Sequence, residues 1–288
     1  MHFVRLNYNG TVSRCGHMVN PPQFSSLEEM EKSQWLTDTQ LLMQNNNWPK
    51  ECIRCKETEE QNGTSIRLNA NKFDQLQREF DYLTVGGVLD NVCNSACLTC
   101  DENHSTLIGG LKTKTYPIVD NSNAFWSLPL DRVIHLDING GEPSHSKNYK
   151  HILANLPLSI RSVRLNTNCS TVLEELVPLC ERGVQVTVTV SLDGIGLVHD
   201  LVRWPVKWDK FWANLQRYMS MPVKLNTWTT VSALNVDDLP NILNFVKEHN
   251  LEHSYAYLKH PPELAVENKD TPECQAYIQE QKQLRGIE

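Results

Sequence analysis

No apolar run in this chain reaches the length a membrane-spanning helix requires. Basic residues are not in excess either: 27 Lys and Arg stand against 34 Asp and Glu, for a formal net charge of −7. That balance gives no general affinity for nucleic-acid phosphates, so nucleic acid is not an expected partner, although a local basic patch stays open. The opening stretch Met1-His2-Phe3-Val4-Arg5-Leu6-Asn7-Tyr8 lacks the charged start and apolar core of a signal peptide. The expectation is a cytoplasmic protein in reducing surroundings, with no membrane partner. Internal repeats and long low-complexity segments are also missing. What the chain has is bulk: 288 residues at 40% hydrophobic composition, enough for one large core or a core with a small appended domain.

It also has nine cysteines, which in a reducing compartment are thiols or ligands rather than disulfides. Three crowd together as Cys93, Cys97 and Cys100, spaced C-x3-C-x2-C, with no obvious fourth ligand. A closed zinc site wants four ligands, and His104 is the nearby candidate. A cubane iron–sulfur cluster on three thiolates instead leaves one iron open for chemistry. A second group comprises Cys15 with Cys52 and Cys55, the last two spaced C-x2-C. Cys169, Cys180 and Cys274 are scattered and read as buried small hydrophobes. Cys169, at the end of an expected strand, is the one spare thiol placed for a role in chemistry.

Residues 1–72 differ in character from residues 73–288. The first segment reads as a hairpin turning at Asn9-Gly10 and a helix over 26–44 capped by Ser25 or Ser26. It is too small to bury much core alone, and a metal would supply the missing constraint. From Phe73 onward strands alternate with helices. Strands are expected at 82–88, 133–138, 162–166, 184–191, 223–231 and 254–258. Helices are expected at 147–155, 171–182, 208–219, 237–249 and from Thr271-Pro272 onward. The alternation predicts βαβ units and a parallel sheet, doubly wound or a partial barrel. In both, ligands gather at the carboxyl ends of the strands.

Polar and glycine residues collect at those ends. The first strand leads to the cysteine triplet, the second to Gly140-Gly141-Glu142-Pro143, and the third to Asn166-Thr167-Asn168. The fourth leads to Ser191-Leu192-Asp193-Gly194, the fifth carries Asn226 and Thr227, and the sixth ends in Lys259-His260. One shared cavity is the expectation.

With those residues in view, the chain resembles the radical S-adenosylmethionine (SAM) enzymes. The triplet after a first strand, the Gly-Gly-Glu-Pro segment after the second and Ser191-Leu192-Asp193-Gly194 after the fourth follow that family's order. The resemblance implies an α/β fold with a partial (β/α)6 TIM-like barrel. It implies a [4Fe-4S] cluster on Cys93, Cys97 and Cys100, with SAM on the fourth iron. Gly140 and Gly141 would let the backbone approach SAM, Glu142 would accept from its amino group, and Pro143 completes the segment. Asn166, Asn168, Ser191 and Asp193 would face its ribose and carboxylate ends. Arg203 would pair with the SAM carboxylate, or else form a surface salt bridge. Thr99 departs from the aromatic residue the family often carries before its third cysteine.

Residues 1–72 resemble half of a twitch/SPASM auxiliary-cluster module. Gly10-Thr11-Val12-Ser13-Arg14-Cys15 matches a G-x4-C element, and the run from Trp48 through Cys52 and Cys55 to Glu59 and Arg67 matches a further pattern. The family places this module after the barrel and expects another cysteine upstream, so three thiols remain here. They imply a second iron–sulfur cluster completed by His2, His17 or a substrate group, or a zinc site with His17. Trp204, Trp208 and Trp212 share a helical stripe, read as packing or as a stacking platform.

The resemblance thus implies an enzyme of oxidoreductase or modifying type that cleaves SAM reductively to a 5′-deoxyadenosyl radical. A low-potential electron donor such as flavodoxin or ferredoxin would feed it. The substrate would be a peptide or protein side chain, or a small carbohydrate, nucleotide or cofactor precursor. A catalytically silent metal-binding scaffold is the alternative of another class.

Overall fold

The computed structural model describes residues 2–68, 82–113 and 116–287. Eight strands form one sheet in the order β2-β1-β3-β4-β5-β6-β7-β8. These are β1 (Phe3–Leu6), β2 (Val12–Ser13), β3 (Leu83–Val88), β4 (Val133–Asn139), β5 (Ser162–Thr167), β6 (Gln185–Ser191), β7 (Lys224–Val231) and β8 (Glu252–Tyr257). Every pairing is parallel except β1 with β2. From β3 to β8 each strand lies beside its predecessor, with no reversal of order.

The strands alternate, and that alternation decides which face carries helices. Val85, Leu136, Ile138, Val163, Leu165, Val186, Val188 and Val190 lie in the buried core. They pack with Phe125, Tyr149, Phe211, Leu215, Tyr218 and Ile242 from the helical layer. Each such side chain, fully buried, contributes about 1.5–3 kcal/mol. The residues between them are polar: His135 and Asp137 stand level with Ser162 and Arg164, and Arg164 and Asn166 with Thr187 and Thr189. A parallel strand packed on both faces reads as a continuous apolar run. These strands do not, so one face of the sheet is built for polar company.

The helices are α1 (Leu27–Glu31), α2 (Gln34–Gln44), α3 (Ile53–Asn62), α4 (Thr106–Lys112), α5 (Ser122–Trp126), α6 (Lys147–Ala154), α7 (Leu176–Glu181), α8 (Leu197–Val202), α9 (Trp208–Met219), α10 (Leu239–Glu248) and α11 (Pro272–Arg285). The helix expected over 26–44 is two helices. Ser26 caps the first through Glu29 N–H, and Ser33 interrupts the run to cap the second through Leu36 N–H. The helix expected over 171–182 starts only at Leu176, and the strand expected at 254–258 starts earlier, at Glu252.

The expected hairpin is present, with Gly10 at φ +79° in its loop. It is not detached from the rest. β1 pairs with β3, and Val4, Leu6, Val12, Leu27 and Met30 share the main core. A hairpin too small for its own core has solved that problem by joining the sheet. The expected boundary at residues 72 and 73 lies outside the described residues. No helix among the described residues is long and apolar enough to cross a membrane.

Candidate active site at the carboxyl ends of the strands

The cysteine triplet lies on the loop that follows β3. The end of α8, far away in sequence, grips this loop: Ala96 N–H donates to Trp204 O (2.8 Å) and Leu98 N–H to Val202 O (3.0 Å). Ser105 Oγ donates to Ser95 O (2.6 Å), and Cys93 N–H to Thr106 Oγ1 (3.2 Å), which ties the loop to α4. Cys97 is buried, while Cys93 and Cys100 are partly exposed. Burial, and then the neighbouring Cys97, pushes the Cys93 thiol up to about 12. Cys100 is raised by burial and then by Cys97 and Cys93. Burial and the neighbouring thiols thus both oppose ionisation of the free triplet.

Soft thiolate donors suit iron–sulfur clusters and zinc. Among the described residues, no three His, Cys, Asp or Glu side chains converge to hold a metal ion. A cubane cluster does not need such convergence, since each thiolate binds a different iron. The donor set therefore fits the cluster. The His104 alternative fares less well: its Nδ1 lies 2.7 Å from Asp101 Oδ1, and its ring meets Tyr8 edge-on.

Gly140 and Gly141 follow β4. A Cβ on Gly140 would lie 2.2 Å from Asp90 O, and one on Gly141 2.1 Å from Val92 O. Gly141 N–H donates to Asp90 O and Glu142 N–H to Val92 O, each at 2.8 Å. The missing side chains thus let the β4 loop lie directly on the start of the cysteine loop. The sequence suggested a close approach to a ligand; the approach observed is to the chain itself.

Glu142 is 1% exposed. Its Oε1 accepts from Ser144 N–H (3.0 Å), Ser144 Oγ (2.6 Å) and Thr167 Oγ1 (2.7 Å), and its Oε2 from Asn168 N–H (2.6 Å). The carboxylate straps the β4 loop to the end of β5. Pro143 is buried beside it. Asn168 carries the network onward: its Nδ2 donates to Asn94 Oδ1 (2.9 Å) and Ser95 Oγ (2.7 Å), both within the cysteine loop. Asn166 is exposed and donates to Asn139 Oδ1 at 2.6 Å.

Ser191 ends β6 in register with Trp228. Beyond it, buried Asp193 accepts from Thr230 N–H (2.7 Å) and from Arg203 Nη1 (3.1 Å). The Arg203 side chain is only 13% exposed, which removes the surface salt-bridge reading. Burial opposes its charge, but Cys97, Asp193, Cys93 and Cys100 outweigh burial and raise its pKa. Its buried Nε has no hydrogen-bond partner among the described residues.

Several open alternatives are decided. Cys169 lies in the main core with its Sγ toward Phe211 O (3.7 Å), so it is no spare thiol at a mouth. Trp208 stacks on Phe211 (5.4 Å) and, with Trp212, meets Phe245, which makes the stripe packing between α9 and α10. Trp204 precedes the cis peptide to Pro205. Two residues that no local pattern announced also reach the site. Tyr8, at the hairpin tip, is pushed up to about 12 by burial and then by Cys100. Arg285, in the last helix, bonds the cysteine loop directly.

Cys15, Cys52 and Cys55 are all partly exposed. Cys52 is pushed up to about 11 by burial, then by Cys15 and Cys55. His17 N–H donates to Cys15 Sγ (3.4 Å), and burial, then Arg54 and Arg5, lowers its pKa. Arg67 lies over the Trp48 ring (4.6 Å) and donates to both carboxylate oxygens of Glu59. His2 is stacked on Tyr82 instead, with Nδ1 3.0 Å from Tyr82 O.

No family model and no curated protein matches the chain. Solved structures are similar to it in part. One is native anSMEcpe with bound AdoMet, at TM-score 0.48 and 16% identity, covering 61% of this chain and 52% of that one. Another is the same protein with bound AdoMet and Kp18Cys peptide, at TM-score 0.48 and 18% identity, covering 62% and 52%. A third is Streptococcus suis SuiB bound to precursor peptide SuiA, at TM-score 0.46 and 14% identity, covering 99% and 69%. The alignment thus spans about half the length of the anSMEcpe structures.

Proposed function

We propose that this protein is a radical SAM enzyme whose sheet curls into a partial (β/α)6 barrel. Residues 73–288 would form the catalytic domain, and residues 1–72, whose hairpin extends the same sheet, a twitch-like auxiliary module. One observation carries the reading. The triplet Cys93, Cys97 and Cys100 gathers with Gly140 to Glu142, Asn168 and the Asp193–Arg203 pair in one partly buried assembly at the carboxyl ends of β3 to β6. The unbroken strand order supports the barrel, since a doubly wound sheet reverses its order.

When bound, a [4Fe-4S] cluster carrying SAM would supply reductive SAM cleavage and, through it, the power to abstract a hydrogen atom from the substrate. The chain's own contribution is placement. Cys93, Cys97 and Cys100 would hold three irons. The Arg203 guanidinium, fixed by Asp193 and with Nε free, suits a carboxylate such as SAM's. Glu142 acts first as a strap that sets the loop beside the cluster, and its Oε2, which accepts one bond, keeps capacity for an amino group. Asn166 and Ser191 would face the ribose. Burial of Cys97 would keep water from that side of the cluster.

We assign a peptide or protein side chain as the substrate. The polar sheet face supports this reading, because it reaches solvent at Trp228, which is 39% exposed and stands level with Ser191. A solvent-accessible face suits an extended chain better than a small enclosed molecule. A low-potential donor such as flavodoxin or ferredoxin would supply the electron. Cys15, Cys52 and Cys55 would hold a second iron–sulfur cluster, with zinc as the competing occupant.

The test is direct. Protein purified without oxygen and reconstituted with iron and sulfide should convert SAM to 5′-deoxyadenosine when dithionite and a candidate peptide are added. Cys97→Ala should abolish that product. Equal product from the variant, or none from fully loaded wild type across candidate peptides, would sink the proposal.

A further inference from the structure

Arg285 sits in the last turn of α11 and reaches the cysteine loop across 188 residues of sequence. Its Nε donates to Ala96 O (2.5 Å) and its Nη2 to Cys97 O (3.1 Å). Its Nη1 donates to Gln281 O and Oε1, each at 2.8 Å. Arg285 is 4% exposed and Gln281 5%. α11 packs against α4, the helix that leaves the cysteine loop. Burying a guanidinium is costly unless its donors are met, and an apolar side chain would fill the same space more cheaply. The charge therefore marks a job beyond packing. Residues 96–98 are gripped from two sides: the end of α8 takes the amides of Ala96 and Leu98, and Arg285 takes the carbonyls of Ala96 and Cys97.

We propose that Arg285 is a positioning residue of the cluster site. Its planar fork fixes the backbone at Ala96 and Cys97, and with it the direction of the Cys97 thiolate. Its permanent charge beside the thiolates favours the more negative, reduced state of the cluster. The inference rests on the [4Fe-4S] reading above. The two effects separate by substitution, because lysine keeps the charge without the fork and methionine keeps neither.

The experiment compares full-length wild type, Arg285→Lys, Arg285→Met and the exposed control Gln283→Ala. In metal-free protein, the amides of Ala96 and Leu98 should exchange with solvent roughly tenfold or more faster in both Arg285 variants than in wild type and the control. In reconstituted protein, a chelator should strip iron faster from both variants. The midpoint potential, read by electron paramagnetic resonance, should become more negative in Arg285→Met and stay near wild type in Arg285→Lys. Should Arg285→Met fail to fold, Arg285→Lys and Gln281→Ala carry the exchange measurement. Unchanged exchange in the folded variants overturns the clamp, and equal potentials overturn the charge effect. Wild type that takes up no cluster but shows the exchange difference would overturn the proposed function and leave the clamp standing.

Discussion

At the scale of single residues, the site shows side chains that a sequence reading assigns to a ligand already engaged with the protein. Glu142 is the sharpest case. Its carboxylate, on a side chain only 1% exposed, accepts four hydrogen bonds. A glutamine in its place would turn one accepting oxygen into a donor facing an N–H or an O–H. Glu142→Gln should therefore destabilise the metal-free protein by about 2 kcal/mol, the order expected when buried partners lose a charged acceptor. Denaturant unfolding without oxygen measures this. Wild-type stability in the variant would mean that the carboxylate serves the ligand and not the fold. The triplet and Gly140-Gly141 were legible as a site because spacing is written in the sequence. The target of the glycines was not, since close approach to Asp90 O and to a bound molecule call for the same missing Cβ.

At the scale of elements, alternation made the strands easy to read: every expected strand from 133 to 231 lies within about one residue of the observed one. Short helices were harder. α4, α5 and α8 run five to seven residues, too few for a 3.6-residue period to declare itself. α8 matters most, because it carries His199 and leads to Arg203. His199 is fully buried between Trp208 and Phe211, and neither ring nitrogen has a partner among the described residues. Burial, then Arg203, pushes its pKa down to about 3, against the opposing pull of Asp200. The unfolded chain takes up a proton near pH ~6.5 that the folded chain refuses. Stability from this residue is thus whole above that pH and falls below it, by up to about 1.4 kcal/mol per pH unit. His199→Phe should keep the aromatic packing and remove the loss. Its stability relative to wild type should rise as pH falls from about 7 to about 5. Parallel curves would show that His199 accepts a proton where it stands.

At the scale of the whole molecule, one hairpin connects the two groups of cysteines. β1 and β2 run antiparallel, with Arg5 opposite Ser13 and Arg14 Nη1 donating to Phe3 O, so Cys15 falls beside the start of β1. Tyr8, at the other end, touches His104 of the cysteine loop with ring centres 4.9 Å apart. Five residues of extended chain put the two ends about 16 Å apart. That distance is too long for shared ligands and short enough for one rigid body, because β1 is locked to β3 along its length. Under the proposed function, metals at the two cysteine groups should then load independently. Cys52→Ala removes one thiol from the outer group, while Arg67, Glu59 and Trp48 still brace that segment. Iron per chain should fall by the share of that site alone. The signal of the cluster on Cys93, Cys97 and Cys100 should persist, and so should 5′-deoxyadenosine formation from SAM. Iron analysis with electron paramagnetic resonance on the two proteins, prepared side by side, decides the matter. Loss of both signals in Cys52→Ala would mean that the outer metal holds the hairpin against the sheet. Unchanged iron content would mean that Cys15, Cys52 and Cys55 bind none.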